Sequence, residues 1–113
     1  MSIEGLIFLG FNSRAVALHR DSGEIVWAWQ APKGRGYTTV LLDGDRLIAS
    51  VDGYTYCLDP ITGEQLWFNG LPGLGTGVVS IASVRGNSVN LAAAAEADAK
   101  AQASAATAHP PAV

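Results

Sequence analysis

Residues 58–67 read LDPITGEQLW, and residues 18–27, 40 positions earlier, read LHRDSGEIVW. The offset lays Leu18 over Leu58, Gly23 over Gly63, Glu24 over Glu64 and Trp27 over Trp67, with Ser22 matching Thr62 and Val26 matching Leu66. So many like residues in one register mark an internal repeat, and that repeat frames the rest of the chain. Around each copy, apolar residues come in short runs of Val, Ile, Leu and aromatics bounded by Gly, Asp, Asn and Pro. This is the pattern of strands, not of helices. Eight strands are predicted, at 6–11, 15–20, 24–29, 37–42, 46–51, 54–59, 64–69 and 78–84. Asp43-Gly44, Asp52-Gly53 and Gly86-Asn87 read as tight turns between antiparallel neighbours, because these residue types tolerate positive φ.

Four short strands per period of this length predict a β-propeller blade. Counted outward from a propeller axis, the eight strands run second to fourth, then first to fourth, then first again. The predicted fold is all-β: a propeller of four-stranded antiparallel blades, two per chain, filling residues 1–87 with repeats near 5–44 and 45–86. Residues 88–113 differ in composition. Alanine dominates from Leu91, and Glu96 and Lys100 stand at helical i, i+4 spacing, so an Ala-rich C-terminal helix is predicted before Pro110-Pro111.

The paired motifs resemble the propeller repeats of quinoprotein dehydrogenases and their non-enzymatic relatives, whose tryptophan-docking motif runs A-x-D-x-x-T-G-x-x-x-W. The second copy has Asp59, Thr62, Gly63 and Trp67, with Cys57 at the Ala position. The first has Ala17, Gly23 and Trp27, with Ser22 at the Thr position and His19 at the Asp position. The resemblance covers about residues 5–86. It implies that each motif Trp lies between the first residue of its own motif and the Thr-Gly peptide of the next blade. Trp27 is thereby expected between Ala17 and Thr62-Gly63, while Trp67 has no third motif to meet.

A two-blade array leaves apolar sheet faces open, and repeat arrays that short are not stable alone. The expectation is a ring of identical chains in which Trp67 docks on the Ser22-Gly23 peptide of a neighbour. Residues 78–84 would supply the innermost strand of that neighbour's blade. The resemblance to eight-bladed quinoproteins implies a homotetramer, with a homotrimer next. The alternative is that the chain is a fragment of a longer product, such as a quinoprotein dehydrogenase.

Composition narrows the function. Net charge is −3, and the seven Lys and Arg are scattered at 14, 20, 33, 35, 46, 85 and 100, so no basic stripe is available for nucleic acid. The single cysteine, Cys57, excludes an internal disulfide or a multi-cysteine zinc site and reads as a small buried thiol. The first residues show neither a basic leader nor an apolar run long enough for export or a bilayer, which reads as a cytoplasmic chain without a membrane role. No catalytic motif is present: GLGTGVV at 73–79 lacks the spacing of a dinucleotide fingerprint and reads as a loop between blades. Nothing matches the quinone-binding or base residues of the resembling family, so no cofactor, metal or enzymatic activity is expected. His19 reads as a surface histidine, and Asp43, Asp45 and Asp52 read as turn residues. Trp29 stands apart, because its repeat partner is Asn69 and the scaffold does not demand an aromatic there. With Lys33, Arg35 and Tyr37 from the longest charged loop, it makes a candidate site for a sugar or protein ligand; the plainer reading is that Trp29 widens the contact between blades. A non-enzymatic, self-assembling binding scaffold is the leading expectation, and a lectin-like glycan-binding ring the alternative.

Overall fold

Two-residue turns decide the wiring. Asn12-Ser13 (φ 47° and 63°) joins β1 (Leu6–Phe11) to β2 (Arg14–His19), and Asp52-Gly53 (φ 54° and 91°) joins β5 (Arg46–Val51) to β6 (Tyr54–Leu58). Two consecutive residues at positive φ make the hairpin turn whose twist matches that of paired strands. In the computed structural model, which describes residues 1–89, β1 and β2 continue into β3 (Ile25–Gln30) as one three-stranded antiparallel sheet. Next, β4 (Thr38–Asp43), β5, β6 and β7 (Gln65–Asn69) form a four-stranded antiparallel meander, and β8 (Ser80–Ser83) pairs with β9 (Gly86–Val89). A single 3-10 turn, Ile3–Gly5, precedes β1, and there is no α-helix among the described residues.

The corners leading to β3 and β7 share one set of backbone hydrogen bonds. His19 N–H donates to Glu24 O at 2.8 Å and Gly23 N–H to His19 O at 2.8 Å, while Asp59 N–H donates to Glu64 O and Gly63 N–H to Asp59 O, each at 2.8 Å. Both glycines have φ of 77°, which a side chain resists. Ser22 Oγ accepts from Glu24 N–H at 3.2 Å, as Thr62 Oγ1 does from Glu64 N–H at 3.2 Å. Asp59 adds a clasp that His19 has no oxygen to make, its Oδ1 accepting from Ile61 N–H at 2.8 Å. Both sheets also shift register at one repeat position, between Ala17 and Leu18 and between Cys57 and Leu58.

One core lies between the first two sheets. Ala15, Ala17 and Trp27 from the first face Leu47, Ala49, Val51, Tyr56 and Leu58 from the second. Alternate residues of a strand share a face, so each sheet gives one face to this core and keeps another turned away from it. The β8–β9 hairpin lies along β4 on the opposite side, where Thr39 Oγ1 donates to Val79 O at 2.7 Å and Arg85 Nη1 to Asp43 Oδ1 at 2.9 Å.

Four sequence readings are corrected. Nine strands are present among the described residues, not eight. The turn expected at Gly86-Asn87 falls at Val84-Arg85, and Gly86 opens β9. Here the 40-residue frame outweighs the dipeptide signal, since Val84-Arg85 takes the place of the turn Gly44-Asp45. That turn is itself displaced by one from Asp43-Gly44, because Gly44, at φ 62°, must stand first in the two-residue loop. The strand expected over 78–84 is confined to Ser80–Ser83 and pairs within its own chain with β9, instead of waiting for a neighbour. β9 ends at Val89, and the predicted helix lies outside the described residues.

Candidate functional site

The first two sheets are joined through Trp27. Its strand partner is Ala17, which is fully buried, and its ring rests on Gly63 of the second sheet. A Cβ built on Gly63 would stand 2.6 Å from Trp27 Cδ2, so only glycine leaves room for the indole. Trp27 Nε1–H donates to Pro60 O at 2.9 Å, which satisfies the one polar atom the buried ring carries. Phe8 packs against the same indole with ring centroids 6.3 Å apart. Trp29 adds a second anchor to this joint. Its ring meets Tyr56 edge-on at 4.7 Å, and its Nε1–H points to Gln65 Oε1 at 3.4 Å.

The outer face of the first sheet lacks such cover among the described residues, and that of the second is covered by the β8–β9 hairpin along β4 but open along β7. Trp67, the repeat partner of Trp27, is 48% exposed where Trp27 is 9% exposed. Leu66 and Phe68 beside it are exposed as well. On the first sheet, Ile7, Leu9 and Phe11 stand 40 residues before Leu47, Ala49 and Val51. The latter three have no exposed surface, whereas Leu9 is 40% and Phe11 53% exposed. Gly23, the counterpart of Gly63, would meet nothing within 4 Å if it carried a Cβ. Its neighbour Ser22 is exposed, and Thr62 is exposed at the occupied corner. Cys57 faces away from the joint on the strand position next to Trp67; it is buried, and that burial pushes its thiol up from the ordinary value.

The loop between the first two sheets holds the other candidates. Lys33 is fastened by its backbone: its N–H donates to Tyr56 Oη at 2.9 Å, and Tyr56 O–H donates back to Lys33 O at 2.8 Å. Burial raises the Tyr56 phenol above its ordinary value, so the hydroxyl keeps its proton for that bond. Arg35 N–H donates to Asp52 Oδ2 at 2.8 Å. Lys33 lines a cavity of about 670 Å³ with Asp52, Tyr54, Phe68 and the glycine-rich loop at 70–76. Tyr54 and Phe68 stack at 6.2 Å to form its apolar wall, and Lys33 Nζ lies 5.9 Å from the Phe68 ring centroid. Trp29 and Tyr37 are not in the wall of this cavity, and Tyr37 is exposed. Trp29 and Lys33 meet the same residue, Tyr56, and the cavity at Lys33 brings in Asp52, Tyr54 and Phe68, which sequence reading missed. The alternation of Tyr54 with Tyr56 along β6 was the available signal for one of them.

No protein-family model matches the chain, and no curated protein is significantly similar to it. Among the described residues no cluster of three or more His, Cys, Asp or Glu is placed to share a metal ion, and no helix is long and apolar enough to cross a membrane.

Proposed function

We propose that the chain is a unit of a β-propeller that assembles head to tail with further copies of itself into a ring serving as a non-enzymatic binding scaffold. One observation carries this reading. The same repeat surfaces that are sealed at the internal joint, Trp27 on one side and Leu47, Ala49, Val51 and Gly63 on the other, recur as Trp67 and as Ile7, Leu9, Phe11 and Gly23 without cover. The chain therefore carries both halves of a joint whose complementarity is already displayed inside it, the requirement for a head-to-tail interface, which makes a ring when the rotation between copies closes. Four copies, giving eight blades, are the favoured ring, and three the next. Seating β1 of an incoming copy beside β8 requires β9 to leave that edge, so assembly and the β8–β9 pairing compete. The cavity over Tyr54 and Phe68 is the place at which the ring would hold a protein or sugar partner.

Native mass spectrometry of the full chain tests the assembly. The expected result is a discrete oligomer that the substitution Trp67→Ala converts to monomer. A folded monomer with a solvent-exposed Trp67, over the whole accessible concentration range, would overturn the proposal and point to further repeats of a longer polypeptide as the missing cover.

A further inference from the structure

The cavity over Tyr54 and Phe68 has a counterpart one repeat earlier. Asp52, Tyr54, Gly70 and Pro72 line the second, and the residues 40 positions before them, Asn12, Arg14, Gln30 and Pro32, line a cavity of about 350 Å³ in the first. The position is the same, between a hairpin turn and the loop that leaves its sheet, but the chemistry is different. In the second repeat Lys33 and Asp52 set opposite charges around an aromatic wall. In the first, two arginines, Arg14 and Arg35, share the lining with the amides of Asn12 and Gln30, and no carboxylate is among the lining residues.

Neither guanidinium is neutralised by a described residue. The ion pairs among the described residues use Arg20, Arg46 and Arg85, so none of the described carboxylates lies within 4.0 Å of either guanidinium; Asp52 meets only the backbone N–H of Arg35. The walls are held rigidly. Ser13 N–H donates to Gly36 O at 2.8 Å, Gly36 N–H donates to Ser13 Oγ at 2.9 Å, and Ala31 N–H donates to Ser13 O at 2.8 Å, which ties the turn to the loop. Arg14 Nη1–H donates to Asn12 O at 2.9 Å, and the backbone of Arg35 is fixed from the far side by Asp52. Gly34 lets that loop press against Val51, where a Cβ would stand 2.7 Å from the carbonyl oxygen. Two unpaired arginines on a preformed polar cavity suit an oxyanion, because the planar guanidinium donates two parallel bonds to a carboxylate or phosphate. The flanking amides suit hydroxyl groups on the body that carries it.

We infer that the first-repeat cavity binds a small hydroxylated ligand carrying an oxyanion, with Arg14 and Arg35 gripping the charge and Asn12 and Gln30 facing the body of the ligand. The site lies within one chain and does not depend on the ring. Ring assembly would also leave it open, because its counterpart at the internal joint keeps a larger cavity although the sheets there are docked.

Calorimetric titration of the full chain with glucuronate, glucose 6-phosphate and glucose tests the assignment. Saturable binding of at least one of the two anions, with none of glucose, is expected. Glucuronate alone would identify a carboxylate ligand, glucose 6-phosphate alone a phosphate ligand, and both a general oxyanion site. Arg35→Gln lies in an exposed loop and should weaken binding about tenfold, the loss of a charge-assisted hydrogen bond; Arg14→Gln should do the same. Arg46→Gln removes an equal charge at another turn and should leave binding unchanged. No anion binding, equal binding of glucose, or an Arg46→Gln loss as large as that of Arg35→Gln would overturn the inference.

Discussion

Trp27 and Trp67 sit at one position of two copies of one motif, yet the first is sealed in the joint and the second lies half open to solvent. The strand pairing, bulge and corner hydrogen bonds around them are alike. What differs is the presence of a following sheet with a glycine corner to receive the ring. Local sequence thus makes the docking surface, and only a neighbour makes it a core.

The largest expected effect tests that contrast directly. Trp27→Ala should cost about 3–5 kcal/mol in urea unfolding, as for large-to-small changes in a packed core. Trp67→Ala should cost about 0.5 kcal/mol or less in the isolated subunit, as for surface changes. Near-equal costs under conditions where the chain is monomeric would erase the difference between the two positions. The glycines sharpen it further. Gly63→Ala should cost about 2–4 kcal/mol, combining the left-handed backbone penalty with a clash against the indole. Gly23→Ala should cost only the backbone part, about 1–2 kcal/mol, until a second copy docks there. In the proposed ring the two values converge, which denaturation across a concentration series reads out.

A smaller effect comes from Tyr56, whose repeat partner is Val16. Tyr56→Phe should cost about 1 kcal/mol by releasing both backbone groups of Lys33, and amide exchange at Lys33 should accelerate. Unchanged protection there would show that the loop is held by other means. The smallest effect is electrostatic. The Arg85 guanidinium, opposed by partial burial and helped by the Ser83 hydroxyl, holds the Asp43 carboxyl below its ordinary value. A lowered folded value means that Asp43 helps to hold the β8–β9 hairpin above the ordinary carboxylate range and loses that contribution as acid protonates it. An NMR titration of Asp43 should find its midpoint below that of an unpaired aspartate, and Arg85→Gln should move it up. A midpoint at or above the ordinary value would remove the ion pair from the account.

Much of this architecture is legible in the sequence because the repeat carries its own frame. Strand positions follow from apolar runs, and the corner at Gly63 follows from its match to Gly23. The turn at Gly44-Asp45 was displaced because a Gly-containing dipeptide states that positive φ is needed nearby without fixing which residue stands first in the loop, and the turn at Val84-Arg85 because it holds no residue at positive φ and Gly86 already belongs to β9. Pro60 as acceptor for Trp27 was hidden, since backbone carbonyls leave no mark in composition. The arginine cavity was harder still, because Arg14 is only one of seven scattered cations in the sequence until the fold brings it to the same cavity as Arg35.

The local wiring of the two sheets has a kinetic side. Each sheet is a meander closed by links of a few residues, so each can form from contacts close along the chain, the condition for rapid folding. The expected slow step is the meeting of the two sheets, and Trp27 would register that meeting as its fluorescence loses contact with water. A chain of this design should show a quick phase that ignores Trp27→Ala and a later phase that does not.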